Sequence, residues 1–289
     1  EKLINTVYNY KPDLLIFGHA DLIKDTTLSY LKENYKSLKI AQWFLDPLIK
    51  NGPDYEKNKL RILDKIEYTD ANFITTSPDV LNFLPKKKLS LFMPNPTDES
   101  FEVLNNYNNK HCSMDVFFAL SHGVHRGILK KGKYDERADF VNRLVEITPN
   151  VKFDLYGINN VQPIWADSFL KSVSNAKMGV NLSRGHPIKY YSSDRITQLI
   201  GNGLLTFIHT DTMYNNFFTD NEVIFYKNLS DLSEKIQKFA RDDKLRKKIA
   251  KKGKIKYMKY FNSTVVADYI ITNTFDIKNK NKKFMWANK

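Results

Sequence analysis

The chain has 289 residues, 42% of them hydrophobic and 27% charged, and carries a formal net charge of +13. That length and apolar content allow two α/β domains of moderate size and exclude an intrinsically disordered chain. A single cysteine, Cys112, excludes a disulfide framework; with no Cys/His ligand spacing around it, it also argues against a zinc site and for a reducing cytoplasm.

The chain opens at Glu1 rather than Met, and no stretch has the pattern of a signal peptide or a spanning helix, so a longer parent protein is expected. Short apolar runs at Asp13 to Phe17, Lys39 to Trp43 and Asn72 to Thr76 alternate with helix-length amphipathic stretches, which predicts a parallel sheet wound with helices. Ser77-Pro78 opens a short helix, with Ser77 as its N-cap, and Leu89 to Met93 reads as another strand. Turn-rich composition from Pro94 to Pro96 and from Asn105 to Lys110 reads as a linker. The alternation then restarts: strands at Met114 to Leu120, Val151 to Tyr156, Lys177 to Leu182, Leu204 to Ile208 and Val223 to Tyr226, with helices at Tyr134 to Ile147, Trp165 to Asn175 and Ser193 to Ile200. Amphipathic helices follow to about Phe275. The second half reads as a complete doubly wound domain, and the first half as an incomplete one.

Lysine-rich runs near Arg241 to Lys259 and at the C-terminus hold much of the positive excess. A solvated basic face accounts for them; peripheral contact with anionic lipid headgroups at the inner face of a membrane, or acidic acceptors, is the next reading. Nucleic acid is a rival partner class on charge alone, but no zinc finger, RNP-like segment or recognition helix supports it.

Ligands of open α/β sheets sit beyond the carboxyl ends of the strands, which directs attention to the loops there. In Ser121-His122-Gly123-Val124-His125-Arg126-Gly127, the glycines admit an anion to the main-chain N-H groups and Arg126 supplies charge. The spacing of Gly123, Gly127 and Gly132 is not a dinucleotide fingerprint, and two histidines alone make a weak case for metal. In Arg184 to Arg195, Ser192, Ser193 and Asp194 are N-cap types that would aim a helix start at a diphosphate, with Lys189 and Arg195 beside it.

With those residues in view, Asp115 to Phe261 resembles the donor domain of the spore-maturation (CgeB-type) group of GT-B glycosyltransferases, relatives of family 4. Asp115 to Ala119 leading into Ser121-His122-Gly123 resembles the first strand and phosphate loop, and Phe153 to Gly157 the strand before the base-binding loop. Ser193-Asp194-Arg195-Ile196 through Gly201-Asn202-Gly203 resembles the arginine-bearing helix, while Asn221 to Tyr226 and Arg246 to Phe261 resemble the closing strand and helices. Many family 4 relatives carry two glutamates eight residues apart; here those places hold Tyr190 and Gln198, and Gln198 can hydrogen-bond ribose hydroxyls but carries no charge.

The resemblance implies an α/β, GT-B fold of two Rossmann-like domains facing a cleft: a partial acceptor-side domain at 1–97, a donor-binding domain at 98–275 and a tail at 276–289 whose Trp286 returns to the first domain. It implies transfer of a sugar from a UDP- or GDP-linked donor, without metal or resident cofactor, to a glycan, lipid or protein acceptor of the cell envelope. Ser121, His122, Gly123, Arg126 and Gly127, with Lys189, Tyr190, Tyr191, Ser192, Ser193, Asp194, Arg195 and Gln198, would hold the diphosphate and ribose, and Tyr156 and Gly157 would lie near the base. Arg126 and Arg195 would take the role a cation plays elsewhere. His19 and Asp46, each after a strand of the first domain, are the candidate general bases of an inverting reaction. A non-catalytic nucleotide-sugar-binding relative stands beside this reading.

Overall fold

The structure, a computed structural model, describes residues 1–52, 54–121, 135–277 and 284–287. They form two compact units. The first comprises Glu1–Pro94, Ile188–Tyr191 and the described residues from Ser263 onward; the second comprises the described residues of Asn95–Pro187 together with Ser192–Asn262.

In the first unit α1 (Lys2–Tyr10), β1 (Leu14–Phe17), α2 (Asp25–Asn34), β2 (Lys39–Phe44), α3 (Tyr55–Ile66), β3 (Ala71–Ile74) and β4 (Ser90–Phe92) follow one another. The strands make a parallel sheet in the order β1-β2-β3-β4. Side chains alternate across a strand, so Ile40, Gln42 and Phe44 of β2 share one face. Ile40 packs with Leu28 and Leu31 of α2, and Phe44 with Ile62 and Ile66 of α3. Between them the buried Gln42 amide donates to Ile62 O at 3.1 Å and to Asn72 Oδ1 at 2.7 Å, while Asn72 donates to Leu89 O at 2.9 Å. Burial of these amides costs little because they satisfy one another, and the link fixes how β2, β3 and α3 meet.

The second unit contains β5 (Met114–Ala119), α4 (Glu136–Ile147), β6 (Phe153–Tyr156), α5 (Ala166–Ser174), β7 (Ala176–Asn181), α6 (Arg195–Gly201), β8 (Leu205–His209), β9 (Ile224–Tyr226), α7 (Leu229–Arg241) and α8 (Asp243–Tyr260). Its parallel sheet runs β6-β5-β7-β8-β9. Val116 and Phe118 of β5 pack with Val141 and Leu144 of α4 and, through the same core, with Leu232 and Ile236 of α7. The alternate residue, Phe117, clusters with Val173 of α5 and Leu199 of α6. Both faces are therefore covered, as the near-continuous apolar strands require. A Cβ on Gly179 of β7 would collide with the Leu199 side chain, so glycine at that position sets how closely α6 lies on the sheet.

Strand placement follows the expected order, with ends shifted by one or two residues. The compact units, however, divide the chain differently from the 98–275 span read in the sequence. Helix α9 (Ser263–Thr274) packs on β2 and β3 of the first unit. Its Tyr269 ring lies 5.8 Å from Phe73, whose neighbours Asn72 and Ile74 point to the opposite face, and buried Trp286 stacks edge-on against Tyr269 at 5.3 Å. The uncovered apolar face of β2 and β3 is the physical reason: a helix with Val266, Tyr269 and Ile270 buried fills it.

Candidate functional site

The order β6-β5-β7-β8-β9 reverses direction between β5 and β7, and a crevice opens beyond the carboxyl ends of strands at such a reversal. Arg195, the first residue of α6, spans it. Its Nη2 donates to Ala119 O at the end of β5 at 2.9 Å, and its Nη1 donates to Leu182 O, just past β7, at 2.7 Å and to Ser193 Oγ at 3.1 Å. The guanidinium plane also lies 5.0 Å from the Phe118 ring centroid. Planar, fixed donors suit two divergent carbonyls in a way an ammonium cannot, so Arg195 braces the two strand ends against each other.

Beside Arg195 lies a cavity of about 330 Å³, lined by the polar residues Ser121, Asp194, Arg195 and Gln198 and by the apolar Ile164, Trp165 and Phe169. Trp165 is half exposed at its rim, and among the described residues the Gln198 carboxamide has no partner. Ala166, next to Trp165, holds φ at +49°, a strained value for a residue with a Cβ that fixes the turn from the β6 loop into α5. Trp165 and Phe169 were not among the residues singled out from the sequence. The signal was there in Pro163-Ile164-Trp165, an apolar cluster in a loop beyond a strand end, where only burial should place it.

The other sequence candidates distribute as follows. Tyr156 Oη shares a 2.9 Å hydrogen bond with Ser172 Oγ, and its ring packs near Phe117. Burial lifts the Asp154 carboxyl above the ordinary range, against hydrogen bonds from Tyr156 and Ser172 that lower it. Gly157, at φ +73°, lies so close to the Leu120 carbonyl that any Cβ would strike it. Ser192 is buried, its hydroxyl oxygen 2.9 Å from Ser193 O and 3.1 Å from Asn181 Oδ1, one of which takes its single proton, and the Ser193 N-H donates to Ser183 Oγ. Of the three cap-type residues, Asp194 stands at the N-cap, but without a side-chain cap, and the N-H groups of Ile196 and Thr197 go to Ser193 O and Asp194 O. Lys189, Tyr190 and Tyr191 belong to the first unit. There Lys189 Nζ pairs with Asp79, the Lys189 carbonyl accepts from Ser77 N-H at 3.1 Å, and the buried Tyr190 ring, at φ +62°, lies 4.9 Å from Phe92. The loop read as one cluster is thus shared between two compact units. His122, Gly123, Arg126 and Gly127 lie outside the described residues.

In the first unit His19 and Asp46, proposed separately, meet. His19 Nε2 lies 3.2 Å from Asp46 Oδ2 at the carboxyl ends of β1 and β2, with both side chains partly exposed and the imidazole 5.5 Å from the Phe44 ring. Arg61 reaches Asp46 Oδ2 at 3.4 Å and Asp21 Oδ2 at 2.6 Å, and its hydrogen bond holds the Asp21 carboxyl below its ordinary range. The Asp46 carboxylate thus lies between the imidazole and the Arg61 guanidinium, with His19 Nε2 on the side facing it. Among the described residues no three His, Cys, Asp or Glu side chains come together as a metal site, and no helix is long and apolar enough to cross a membrane.

Residues 136–272 match a family model described as glycosyl transferase-like. No curated protein matches the chain. Among solved structures, TarM superposes with a TM-score of 0.63 at 12% identity, over 94% of this chain and 57% of its own. Sucrose-phosphate synthase from Thermosynechococcus elongatus gives 0.63 at 11% identity, over 95% and 76%. Anabaena HepE in complex with UDP and glucose gives 0.64 at 9% identity, over 96% and 81%. These are GT-B glycosyltransferases, and this chain has their α/β fold of parallel sheets; it spans little more than half the length of TarM.

Proposed function

We propose that this chain is a metal-independent glycosyltransferase that moves a sugar from a UDP- or GDP-linked donor to a glycan, lipid or protein acceptor of the cell envelope on the cytoplasmic side, and that it is akin to the CgeB-type group, relatives of family 4. The observation that carries the reading is the cavity beside Arg195 at the β5–β7 reversal. Trp165 offers a face on which a base can stack, Gln198 a donor and acceptor for ribose hydroxyls, and Ser121 a hydroxyl for the diphosphate. The glycosyl transferase-like match over 136–272 and the HepE complex with UDP support the same assignment. On this reading the second unit holds the donor and the first the acceptor.

For an inverting transfer, the acceptor hydroxyl gives its proton to His19 Nδ1 while its oxygen bonds to the anomeric carbon. The bond from that carbon to the phosphate oxygen breaks, and its electron pair leaves with the diphosphate. Asp46, 3.2 Å from His19 Nε2, offsets the charge that the imidazole then carries. The test is thermal stabilisation by UDP-, GDP-, ADP-, CMP- and dTDP-sugars with and without EDTA, in wild type, Trp165→Ala and Gln198→Ala. A shift with one nucleotide class that survives EDTA and shrinks in both variants supports the reading; shifts that ignore both substitutions move the donor elsewhere. A second reading, a nucleotide-sugar-binding protein without transfer, draws on the uncharged Tyr190 and Gln198 at the two family glutamate places and on the burial of Tyr190. Release of free sugar from the bound donor separates the two.

A further inference from the structure

Helix α8 buries Arg246, Ile249, Ala250, Gly253 and Tyr257 on one side. Its opposite side carries Lys244, Lys248, Lys251, Lys252, Ile255 and Lys259, every one of them exposed. At 100° per residue these six fall within an arc of about 100°, and the lysines extend over roughly 22 Å of helix axis. The remaining α8 lysines are occupied: Lys247 pairs with Asp243, Lys256 with Glu222, and Lys254 donates to the carbonyls of Glu102 and Leu104. Lys244, Lys248, Lys251 and Lys252 make no ion pair among the described residues, and no Asp or Glu occurs in the sequence between Asp243 and Asp268.

We propose that this outward face of α8 docks the protein on an anionic lipid surface. A solvated helix face normally mixes both signs of charge, whereas this one is of one sign and unneutralised. Ile255, 54% exposed, stands in the middle of the lysines, where it serves a partner that offers headgroup charge and hydrocarbon together. The composition also separates lipid from nucleic acid. Specific phosphate and base contacts favour the planar guanidinium, but the one arginine of α8, Arg246, is buried and held by Asp243 and the Lys177 carbonyl. Lysine ammoniums act as point charges and suit a diffuse, laterally mobile array of anionic headgroups. The inference does not depend on the nucleotide cavity.

The experiment is co-sedimentation of the full chain with vesicles of phosphatidylcholine alone and of phosphatidylcholine mixed with phosphatidylglycerol, at low and physiological salt. Binding is expected only with phosphatidylglycerol present, weakening as salt screens the charges. Three exposed lysines lost in Lys248→Gln/Lys251→Gln/Lys252→Gln should lower partitioning on the order of a hundredfold. Ile255→Ser should lower what binding remains at physiological salt, and neither variant should change the unfolding midpoint or the response to nucleotide-sugars. Sedimentation equal with neutral vesicles, none with anionic ones, or none lost in the triple variant would overturn the proposal. So would single-stranded RNA binding to the wild type while anionic vesicles do not.

Discussion

Replacing Arg195 by alanine removes three hydrogen bonds from a charged donor, to Ala119 O, Leu182 O and Ser193 Oγ, and the contact with Phe118. Hydrogen bonds to charged groups each contribute about 1.5–3 kcal/mol, but Arg195 is only partly buried and water will replace some of what is lost, which leaves a net cost of about 2–4 kcal/mol. At about 2–4 °C per kcal/mol for a unit of this size, the midpoint should fall by roughly 5–15 °C. Thermal unfolding followed by circular dichroism, with urea denaturation for the free energy, measures it. Arg195→Lys should recover less than half, because one ammonium cannot reach both carbonyls in the same geometry. An Arg195→Ala midpoint unchanged from wild type, together with a lost response to nucleotide, would mean that the guanidinium is held for phosphate and braces nothing.

Gly157→Ala should destabilise by about 1–3 kcal/mol or more, since it combines a φ of +73° with a Cβ driven into the Leu120 carbonyl; urea midpoints test this. Burial opposes ionisation of Asp70, but hydrogen bonds from Lys32 Nζ at 2.6 Å and the Ile40 N-H at 2.8 Å outweigh it and hold the carboxyl below its ordinary value. A folded value below the unfolded one gives stability that is complete above the unfolded value and lost as pH falls through the folded one. Asp70→Asn should therefore be less stable than wild type at neutral pH, with the gap closing on acidification, as denaturation over a pH series will show. Asp46→Asn should lower the turnover of an inverting transfer by about 10²–10⁴ with donor KM and unfolding midpoint unchanged, measured by nucleotide release in the presence of acceptor.

Much of the fold was legible because period-two and near-continuous apolar runs mark strands wherever they pack, and the nine strands among the described residues stand where those runs lie. The partner of a helix is another matter. The sequence of α9 states that it is apolar, yet only the bare side of Phe73, far earlier in the chain, decides which sheet it covers. The candidate site divides the same way. Loop positions at strand ends drew attention to Ser121, Arg195, His19 and Asp46, since topology alone fixes where such loops gather. Side-chain commitments are set by distant partners: Arg195 finds carbonyls at the ends of two different strands, and Lys189 meets Asp79 across 110 positions. Trp165 is not legible as a site residue because an aromatic beside a helix start looks the same in sequence whether it is buried or stands at a rim.

The first unit draws on three separated stretches of chain, and α9 comes last. A chain emerging from the ribosome has the β1–β4 strands long before Ser263, so one side of that sheet, with Phe73 at its centre, stays bare while the second unit is made. The second unit has all its strands and helices once Asn262 has emerged, and it can fold first. The unit whose strands are made before those of the other is thus the later to be finished, and a chain that stalls between Asn262 and Thr274 presents an open apolar sheet to chaperones and proteases.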